Sequence, residues 1–216
     1  MVKNLGAQPS VFNQFIAELR DAVIQQDSFR FRYNMERMGA IFAYEISRQL
    51  EYETKEVVTP LGVAEVPLLK AYPVLATILR AGLPVHRGML SVFDKSENAF
   101  VSAYRKHSKD GRFDIQVEYV SCPDLTYRIV ILSDPMLATG ASLVLSYKSL
   151  LAKGKPKHTH IVTLIASTQG IEHVKRSLSS EDVTIWVGAI DDELTAQAYI
   201  VPGLGDAGDL AFGNKI

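Results

Sequence analysis

Apolar residues at helical spacing occupy much of the first fifty positions of the chain. After Ser10, which can cap a helix, the apolar positions are Val11, Phe12, Phe15, Ile16 and Leu19. They recur three or four residues apart, as on the buried face of an amphipathic helix. A second, longer pattern of the same kind begins at Asp27 or Ser28. These patterns predict two N-terminal helices.

From residue 51 onward the pattern changes to short β-like runs. Residues 54–59 and 62–69 are separated by the turn sequence Thr-Pro-Leu-Gly, which predicts a strand pair outside the main sheet. Further apolar runs predict strands at 73–79, 99–104, 114–120, 128–132, 160–166 and 183–189. The segments between them that have a helical pattern are 84–93, 141–153 and 170–178.

The alternation of strands and helices indicates the fold class. The run Ile129-Val130-Ile131-Leu132 shows no apolar–polar alternation, which is typical of a strand covered on both faces. We therefore predict an α/β fold with a mainly parallel sheet flanked by helices, plus N-terminal helices and a small β hood. We expect one domain over 1–216, with 1–50 as its helical part and 51–70 as a peripheral β element. Ligands of such sheets bind at the carboxyl ends of the strands.

Composition and charge exclude several classes of protein. The 216 residues carry a formal net charge of −1, with 22% charged residues, unlike a basic nucleic-acid binder or an acidic disordered chain. Cys122 is the single cysteine, so no internal disulfide can form and a reducing, cytoplasmic setting is favoured. We see no signal peptide, and no apolar run approaches the ~18 residues of a membrane span. We expect no nucleic-acid or membrane partner.

The most informative segment is residues 129–142. Its strand leads to Asp134, which Pro135 keeps extended. Small residues from Ala138 to Ser142 then lead into a helix, whose first backbone N–H groups can hold an anion. The spacing alone fits an ordinary strand–turn–helix connection equally well. It also lacks the Gly-Lys-Ser/Thr ending of a P-loop.

Residues 134–142, Asp-Pro-Met-Leu-Ala-Thr-Gly-Ala-Ser, resemble the phosphoribosyl-pyrophosphate (PRPP) loop of uracil phosphoribosyltransferases. We name them the phosphate loop. Residues 80–82, within Leu-Arg-Ala-Gly-Leu, resemble the pyrophosphate loop of that family. Arg105 takes the place of its arginine after tyrosine, on a hairpin that closes over the site. Residues 199–209, named the base loop, resemble its uracil-binding loop, so 199–216 is expected to be a base-binding element. The resemblance implies the type I phosphoribosyltransferase fold.

The resemblance also implies the roles of individual residues. The catalytic residues are Asp134, Arg80 and Arg105. The PRPP-binding residues are Arg80, Ala81, Gly82, Arg105, Asp134, Pro135, Met136, Leu137, Ala138, Thr139, Gly140, Ala141, Ser142 and Asp206. The uracil-binding residues are Ile200, Gly205, Asp206 and Ala207, acting through backbone groups. Mg²⁺ is expected as the cofactor, carried mainly by PRPP oxygens and water rather than by protein ligands.

The implied function is the salvage reaction of uracil with PRPP, which gives UMP and pyrophosphate. The implied partners are uracil and PRPP, a homodimer or larger homo-oligomer, and GTP as an effector candidate, since some members of the family respond to it. Two alternatives stay open. One is a regulatory module of the same fold that binds PRPP or a nucleotide without turnover. The other is a phosphoribosyltransferase for another base.

The chain departs from the family pattern at several positions. Ala141 replaces the second glycine of Thr-Gly-Gly-Ser and would be strained at positive φ. Departures that bear on base preference or activity are Gln169, Thr195, Ala198, Leu210 and Asn214. Asp191-Asp192-Glu193 can suggest Mg²⁺ ligation, but a solvated turn is the better interpretation. His86 is expected on a helix surface.

Overall fold

The computed structural model describes residues 1–107, 113–179 and 181–214, and only the backbone of 103–107 and 113–117. Among these residues the strands are β1 (Val2–Asn4), β2 (Tyr52–Thr59), β3 (Gly62–Leu69), β4 (Val74–Leu79), β5 (Asn98–His107), β6 (Phe113–Ser121), β7 (Ile129–Ser133), β8 (Met136–Leu137), β9 (His158–Ser167), β10 (Val183–Asp191), β11 (Glu193–Leu194) and β12 (Ile200–Val201). The helices are α1 (Val11–Arg20), α2 (Ser28–Ser47), α3 (Leu83–Leu90), α4 (Ala141–Leu151), α5 (Thr168–Ser177) and α6 (Ala207–Phe212). Short 3-10 helices lie at Leu5–Ala7 and Ile24–Gln26.

The central sheet confirms the predicted mainly parallel architecture. Its strand order is β1-β10-β9-β7-β4-β5-β6, with β8 beside β9. The pairs are parallel except β5 with β6. Strands β2 and β3 form the predicted antiparallel hairpin outside this sheet. The parallel order brings the carboxyl ends of β4, β7, β9 and β10 to one edge, where ligands bind in such sheets.

Side chains on both faces of the sheet are buried, as the lack of alternation predicts. On β7, Ile131 packs with the cluster under α1, α2 and α3, whereas Val130 and Leu132 pack with the cluster under α4 and α5. All three side chains are fully buried. Helices therefore cover the sheet on both sides, and the loops at the edge of the sheet are left to form a site.

The predicted starts of the two N-terminal helices are confirmed. Ser10 caps α1 by accepting the Phe12 N–H at 3.2 Å, and Asn13 Oδ1 accepts the Ser10 N–H in return. Asp27 caps α2 by accepting the N–H groups of Phe29 and Arg30 at 3.0 and 3.1 Å. Each side chain satisfies donors that would otherwise lack a partner at a helix start.

The structure differs from the sequence prediction where elements are short or depend on distant residues. Strand β1 was not predicted, because its order comes from parallel pairing with β10, which places Lys3 opposite Trp186. Residues 207–212 form α6, a helix that was not predicted at the end of the base loop. The prediction for His86 was wrong: it is buried and its ring packs 5.2 Å from that of Phe100. Among the described residues, none of the helices combines the length and apolar character that crossing a bilayer requires.

Candidate active site

The phosphate loop continues from β7 along the edge of β9. The Asp134 N–H donates to the Val162 carbonyl at 3.0 Å, and the Pro135 carbonyl accepts the N–H groups of Leu164 and Ile165, each at 3.1 Å. Gly140 then takes a left-handed conformation, with φ of 79°, immediately before α4. Only the residue at this turn needs positive φ. Ala141 is the first residue of the helix, so the departure from Gly-Gly carries no backbone strain there.

Helix α5 supports the phosphate loop from behind. The Ser167 hydroxyl donates to the Ala138 carbonyl at 2.6 Å and accepts the Gly170 N–H at 2.8 Å. A Cβ on Gly170 would overlap the Ala138 carbonyl oxygen and lie 2.7 Å from that of Leu137. The carbonyl groups of Leu137 and Ala138 in the phosphate loop therefore turn toward α5. The N–H groups at the start of α4 take no part in this contact with α5. Ser167 was missed from the sequence, although a serine between a strand and a helix is a recognisable cap.

A cleft lies between Asp134 and the start of α4. Its lining residues are Asp134, Met136, Leu137, Ala138, Thr139, Gly140, Ser142 and Leu143. The structure thus brings together the predicted phosphate-loop residues, except Pro135 and Ala141, around one opening. The combination of N–H groups, hydroxyls and a helix start suits a phosphate group.

Asp134 stands in a poorly solvated environment at the end of β7. Burial raises the pKa of Asp134 to about 7, and the Met136 N–H, 3.4 Å from Oδ1, opposes that rise only weakly. Desolvation disfavours the ionised carboxylate. In the absence of ligand, the carboxyl group therefore exchanges its proton near neutral pH.

The pyrophosphate loop packs closely against the end of β7. A Cβ on Gly82 would overlap the Thr77 hydroxyl and lie 2.7 Å from the Ile78 carbonyl oxygen and 3.1 Å from that of Ser133. The Gly82 N–H donates to the Ile78 carbonyl at 3.0 Å. Only glycine fits this close approach. The contact places the Arg80–Gly82 segment directly beside the residue that precedes Asp134.

Arg80 connects the pyrophosphate loop to α6. Its Nη2 lies 3.1 Å from Asp209 Oδ1 and 3.2 Å from the Gly213 carbonyl oxygen. Its Nε is buried and has no hydrogen-bond partner among the described residues. A Cβ on Gly208 would lie 3.8 Å from Ala81 Cβ. The pyrophosphate loop and the base loop are therefore adjacent.

The base loop combines buried and exposed residues, and Tyr199 and Val201 are 48% and 38% exposed. Ile200 and Ala207 are 3% and 2% exposed as whole residues, so neither presents its side chain to a ligand. Gly205 is exposed, with φ of 91°. The Asp206 carboxylate caps α6 by accepting the N–H groups of Gly208 and Asp209 at 2.8 and 3.0 Å. Asp206 was expected to bind PRPP, and its role as the cap of α6 was not predicted.

The hairpin that carries Arg105 is longer than its sequence pattern predicts. Strand β5 extends to His107 and β6 begins at Phe113. The Arg105 side chain and the hairpin tip at 108–112 lie outside the described part of the molecule. The role of Arg105 therefore stays a prediction.

The departures from the family pattern do not place new side chains in the phosphate-loop cleft. Gln169 is exposed near the start of α5, and the Thr195 hydroxyl accepts the Tyr199 N–H at 3.1 Å. Leu210 and Asn214 line a cavity of about 420 Å³ beside α6. Ala198, which stands where the family has glycine, takes a left-handed conformation with φ of 63°.

Ala198→Gly is expected to stabilise the protein by about 0.5–1 kcal/mol. The left-handed conformation costs alanine roughly 1–2 kcal/mol, and the greater freedom of glycine in the unfolded chain offsets part of that gain. The measurement is urea unfolding. Ala196→Gly is the matched control, because Ala196 lacks positive φ, and it is expected to leave stability unchanged or lower it. A destabilised Ala198→Gly variant would contradict the prediction.

The interpretation of Asp191 as part of a solvated turn was wrong. Its side chain is 7% exposed and lies 2.8 Å from Arg20 Nη2. Burial favours a higher pKa, but the hydrogen bonds from Arg20 and the Gly203 N–H, with the Arg20 charge, lower the pKa of Asp191 overall. This pair could not be predicted from the sequence, because 171 positions separate its members.

These features define a class of protein. A mainly parallel sheet presents a phosphate-sized cleft at a helix start, with an arginine-bearing loop and a carboxyl group beside it, which is the arrangement of a phosphoribosyltransferase. A sequence model of the family described as uracil phosphoribosyltransferase matches residues 7–214. The chain belongs to the uracil phosphoribosyltransferase family.

Similar proteins agree with this assignment. The chain is 53% identical over 215 residues to a uracil phosphoribosyltransferase of Porphyromonas gingivalis, covering 100% of this chain and 99% of the relative. It is 37% identical over 206 residues to one of Pyrococcus furiosus, covering 94% and 86%. The solved structure of the AQ2163 protein from Aquifex aeolicus matches with a TM-score of 0.87 at 28% identity, over 100% of both chains.

Proposed function

We propose that this chain transfers the phosphoribosyl group of PRPP to uracil, giving UMP and pyrophosphate. One observation carries the proposal: three loops with complementary roles meet at one edge of the sheet. A Cβ on Gly82 would lie 3.1 Å from the Ser133 carbonyl oxygen at the end of β7, and a Cβ on Gly208 would lie 3.8 Å from Ala81 Cβ. The three loops can therefore hold the 5′-phosphate and the pyrophosphate of PRPP and the base of the second substrate at one site. The family assignment over residues 7–214 agrees with this reaction.

In the proposed reaction the bond between the ribose anomeric carbon and pyrophosphate breaks, and pyrophosphate leaves with the electron pair. Uracil N1 forms the new bond to that carbon, and its proton passes to the released pyrophosphate. Charge develops on the ribose ring and on the departing pyrophosphate. The chain contributes by positioning and by electrostatic stabilisation, without a covalent intermediate. The start of α4 binds the 5′-phosphate, and Asp134 accepts hydrogen bonds from ribose hydroxyls. Arg80 and Arg105 bind the pyrophosphate.

The residues present fit Mg²⁺ brought by PRPP. The Asp134 carboxyl group lines the phosphate cleft, and its one hydrogen bond among the described residues is the long contact from Met136. Carboxylate, phosphate and water oxygens are the ligands that Mg²⁺ prefers. When bound, Mg²⁺ neutralises charge on the pyrophosphate. The role of Asp134 is to orient the ribose to which the pyrophosphate is attached.

Backbone recognition supports uracil as the base. The family resemblance implies that the base edge meets N–H and C=O groups of this loop, in which Gly205 is exposed. Uracil and cytosine present different donor and acceptor patterns to such groups, and a mismatch leaves buried polar groups unpaired. Of the departures, Thr195 contacts the base-loop backbone by accepting the Tyr199 N–H, and Gln169 is exposed near the start of α5.

Arg105→Ala is expected to raise the KM for PRPP by about 10-fold or more, because a charge-assisted contact with pyrophosphate would be lost. The KM for uracil is expected to change little. Initial rates with each substrate varied in turn measure both quantities. An unchanged KM for PRPP would remove Arg105 from the site.

We further propose that the chain forms a homodimer or larger homo-oligomer. The β2–β3 hairpin leaves the main sheet, and its side chains include exposed Val58 and Leu61, at 84% and 99%. An isolated two-stranded hairpin is marginally stable in water. We expect Val58→Glu with Leu61→Glu to shift the sedimentation coefficient toward the monomer. The same monomeric value for the unaltered chain would contradict the proposal.

Two finer proposals rest on the family and on composition. GTP is proposed as an effector, tested by initial rates with and without GTP at subsaturating PRPP. A cytoplasmic setting is proposed because a single cysteine, Cys122, suits a reducing compartment.

The test of the proposed function is UMP formation from uracil, PRPP and Mg²⁺, with cytosine and reactions lacking PRPP as controls. UMP from uracil alone is the expected result. PRPP binding by calorimetry without product from uracil would favour a sensor of the same fold. Product from another base would assign a different phosphoribosyltransferase.

A further inference from the structure

The base loop is tied to the rest of the protein by a buried cluster of Arg20, Asp191 and Gly203. Arg20 Nη1 and Nη2 lie 2.8 Å from the two Asp191 carboxylate oxygens. The Gly203 N–H donates to Asp191 Oδ2 at 2.9 Å, and the Gly203 carbonyl accepts from Arg20 Nη1 at 2.9 Å. Both polar groups of one residue in the base loop are therefore satisfied by a single ion pair.

The cluster lies between the residues proposed to bind uracil. Gly203 follows Ile200 by three positions and precedes Gly205 by two. Gly203 has φ of 55°, and a Cβ there would overlap the Ile200 carbonyl oxygen. The turn is thus closely packed on Ile200, and its orientation depends on the peptide groups that the cluster holds.

We propose that Arg20 and Asp191 are positioning residues for uracil, which act by fixing the base loop through the Gly203 backbone. The inference rests on the proposed function and assigns to this ion pair the alignment of the backbone groups that read the base. Arg20 is the last residue of α1 and Asp191 is the last residue of β10, so the pair anchors the base loop to two rigid elements. Bidentate arginine–carboxylate pairs fix orientation as well as distance.

If the Arg20–Asp191 pair only stabilised the fold, its loss would lower stability without a specific rise in the KM for uracil. Glu18 and Arg30 form a second bidentate pair, with 2.9 and 2.7 Å between their atoms; Glu18 is buried and lies on α1, and the Arg30 side chain is 49% exposed. That pair joins α1 to α2, and among the described residues neither of its side chains hydrogen-bonds to the base loop. Glu18→Gln is therefore a matched control that weakens the same helix without releasing Gly203.

The experiment measures KM for uracil, KM for PRPP and urea stability in Arg20→Met, Arg20→Lys, Asp191→Asn and Glu18→Gln. Arg20→Met and Asp191→Asn are expected to raise the KM for uracil by about 10-fold or more, with the KM for PRPP within about 2-fold. Arg20→Lys keeps the charge and is expected to restore part of the loss. Glu18→Gln is expected to lower stability with the KM for uracil unchanged.

Two results would overturn the proposal. One is an unchanged KM for uracil in both Arg20→Met and Asp191→Asn despite lower stability. The other is an equal rise of both KM values in these variants and in Glu18→Gln. Arg20→Lys keeps the test valid if the stronger variants fail to fold. The unaltered protein is assayed in parallel: its failure to use uracil would overturn the proposed function, whereas turnover with unaffected variants would overturn only this inference.

Discussion

Asp134→Asn is expected to lower kcat/KM for PRPP by about 10²- to 10³-fold while making the ligand-free protein more stable at pH 8. The loss is of the size found when one preorganised group is removed from the reacting atoms. The gain arises because a carboxylate in a desolvated site disfavours folding, and asparagine of nearly the same shape carries no charge to bury. Function and stability therefore conflict at this residue.

The pH dependence of that stability gain follows from the direction of the pKa shift. Burial raises the pKa of Asp134 in the folded protein to about 7, so the folded state holds its proton where the unfolded chain has lost it. The penalty is absent below about pH 4, grows as the pH rises toward 7, and stays constant above that. We expect Asp134→Asn to match the unaltered protein at pH 4 and to exceed it by on the order of 2 kcal/mol at pH 8.

Asp124→Asn is the control for this experiment. The hydrogen bonds from the Thr126 hydroxyl and N–H lower the pKa of Asp124, so its ionised form favours the folded state. That variant is expected to be less stable than the unaltered protein above pH 4, which is the opposite sign to Asp134→Asn.

The same pKa predicts a pH dependence of activity. The kcat/KM for PRPP of the unaltered enzyme is expected to fall below about pH 7, because this ratio reports the ionisation of groups in the free enzyme, here Asp134. Equal stability of Asp134→Asn and the unaltered protein at pH 8 would contradict the argument.

The parts of the fold that could be predicted are those with local causes. The start of α2 follows from Asp27, whose carboxylate accepts the N–H groups two and three residues ahead. Strand β7 follows from four consecutive apolar residues, the last three of which are fully buried on the two faces of the sheet. The phosphate loop could be located because a strand, Asp134-Pro135 and a run of small residues follow one another in the chain.

What could not be predicted depends on contacts between distant residues. Asp191 belongs to a run of three acidic residues, a local pattern that favours a solvated turn; Asp192 is exposed as that predicts, but Asp191 is buried. Only the packing of α1 brings Arg20 to it. Likewise, the three residues of β1 carry little pattern and become a strand because β10 offers an edge. The support from Ser167 to the Ala138 carbonyl requires knowing that α5 lies behind the phosphate loop.

Arg80→Ala is expected to produce the other large effect, a loss of about 10²- to 10³-fold in kcat/KM for PRPP. Arginine offers a fixed fork of donors to the departing pyrophosphate, and alanine offers none. Stability is expected to change by less than about 1 kcal/mol, because the ion pair with Asp209 is partly exposed, at 39% and 31% of its two side chains. Steady-state kinetics and urea unfolding measure the two quantities.

The same substitution also releases α6, so a second variant separates the two roles of Arg80. Asp209→Asn removes the charge of the partner but leaves the guanidinium in place, and it is expected to lower kcat/KM for PRPP far less than Arg80→Ala. Arg80→Lys keeps a charge without the fork and should fall between them. Arg87→Ala, on exposed surface of α3, controls for loss of a positive charge nearby. Equal losses of kcat/KM for PRPP in Arg80→Ala and Asp209→Asn would mean that Arg80 acts by holding α6. A larger loss in Arg80→Ala requires a contact that Arg80 makes and Asp209 does not, which is the contact with pyrophosphate.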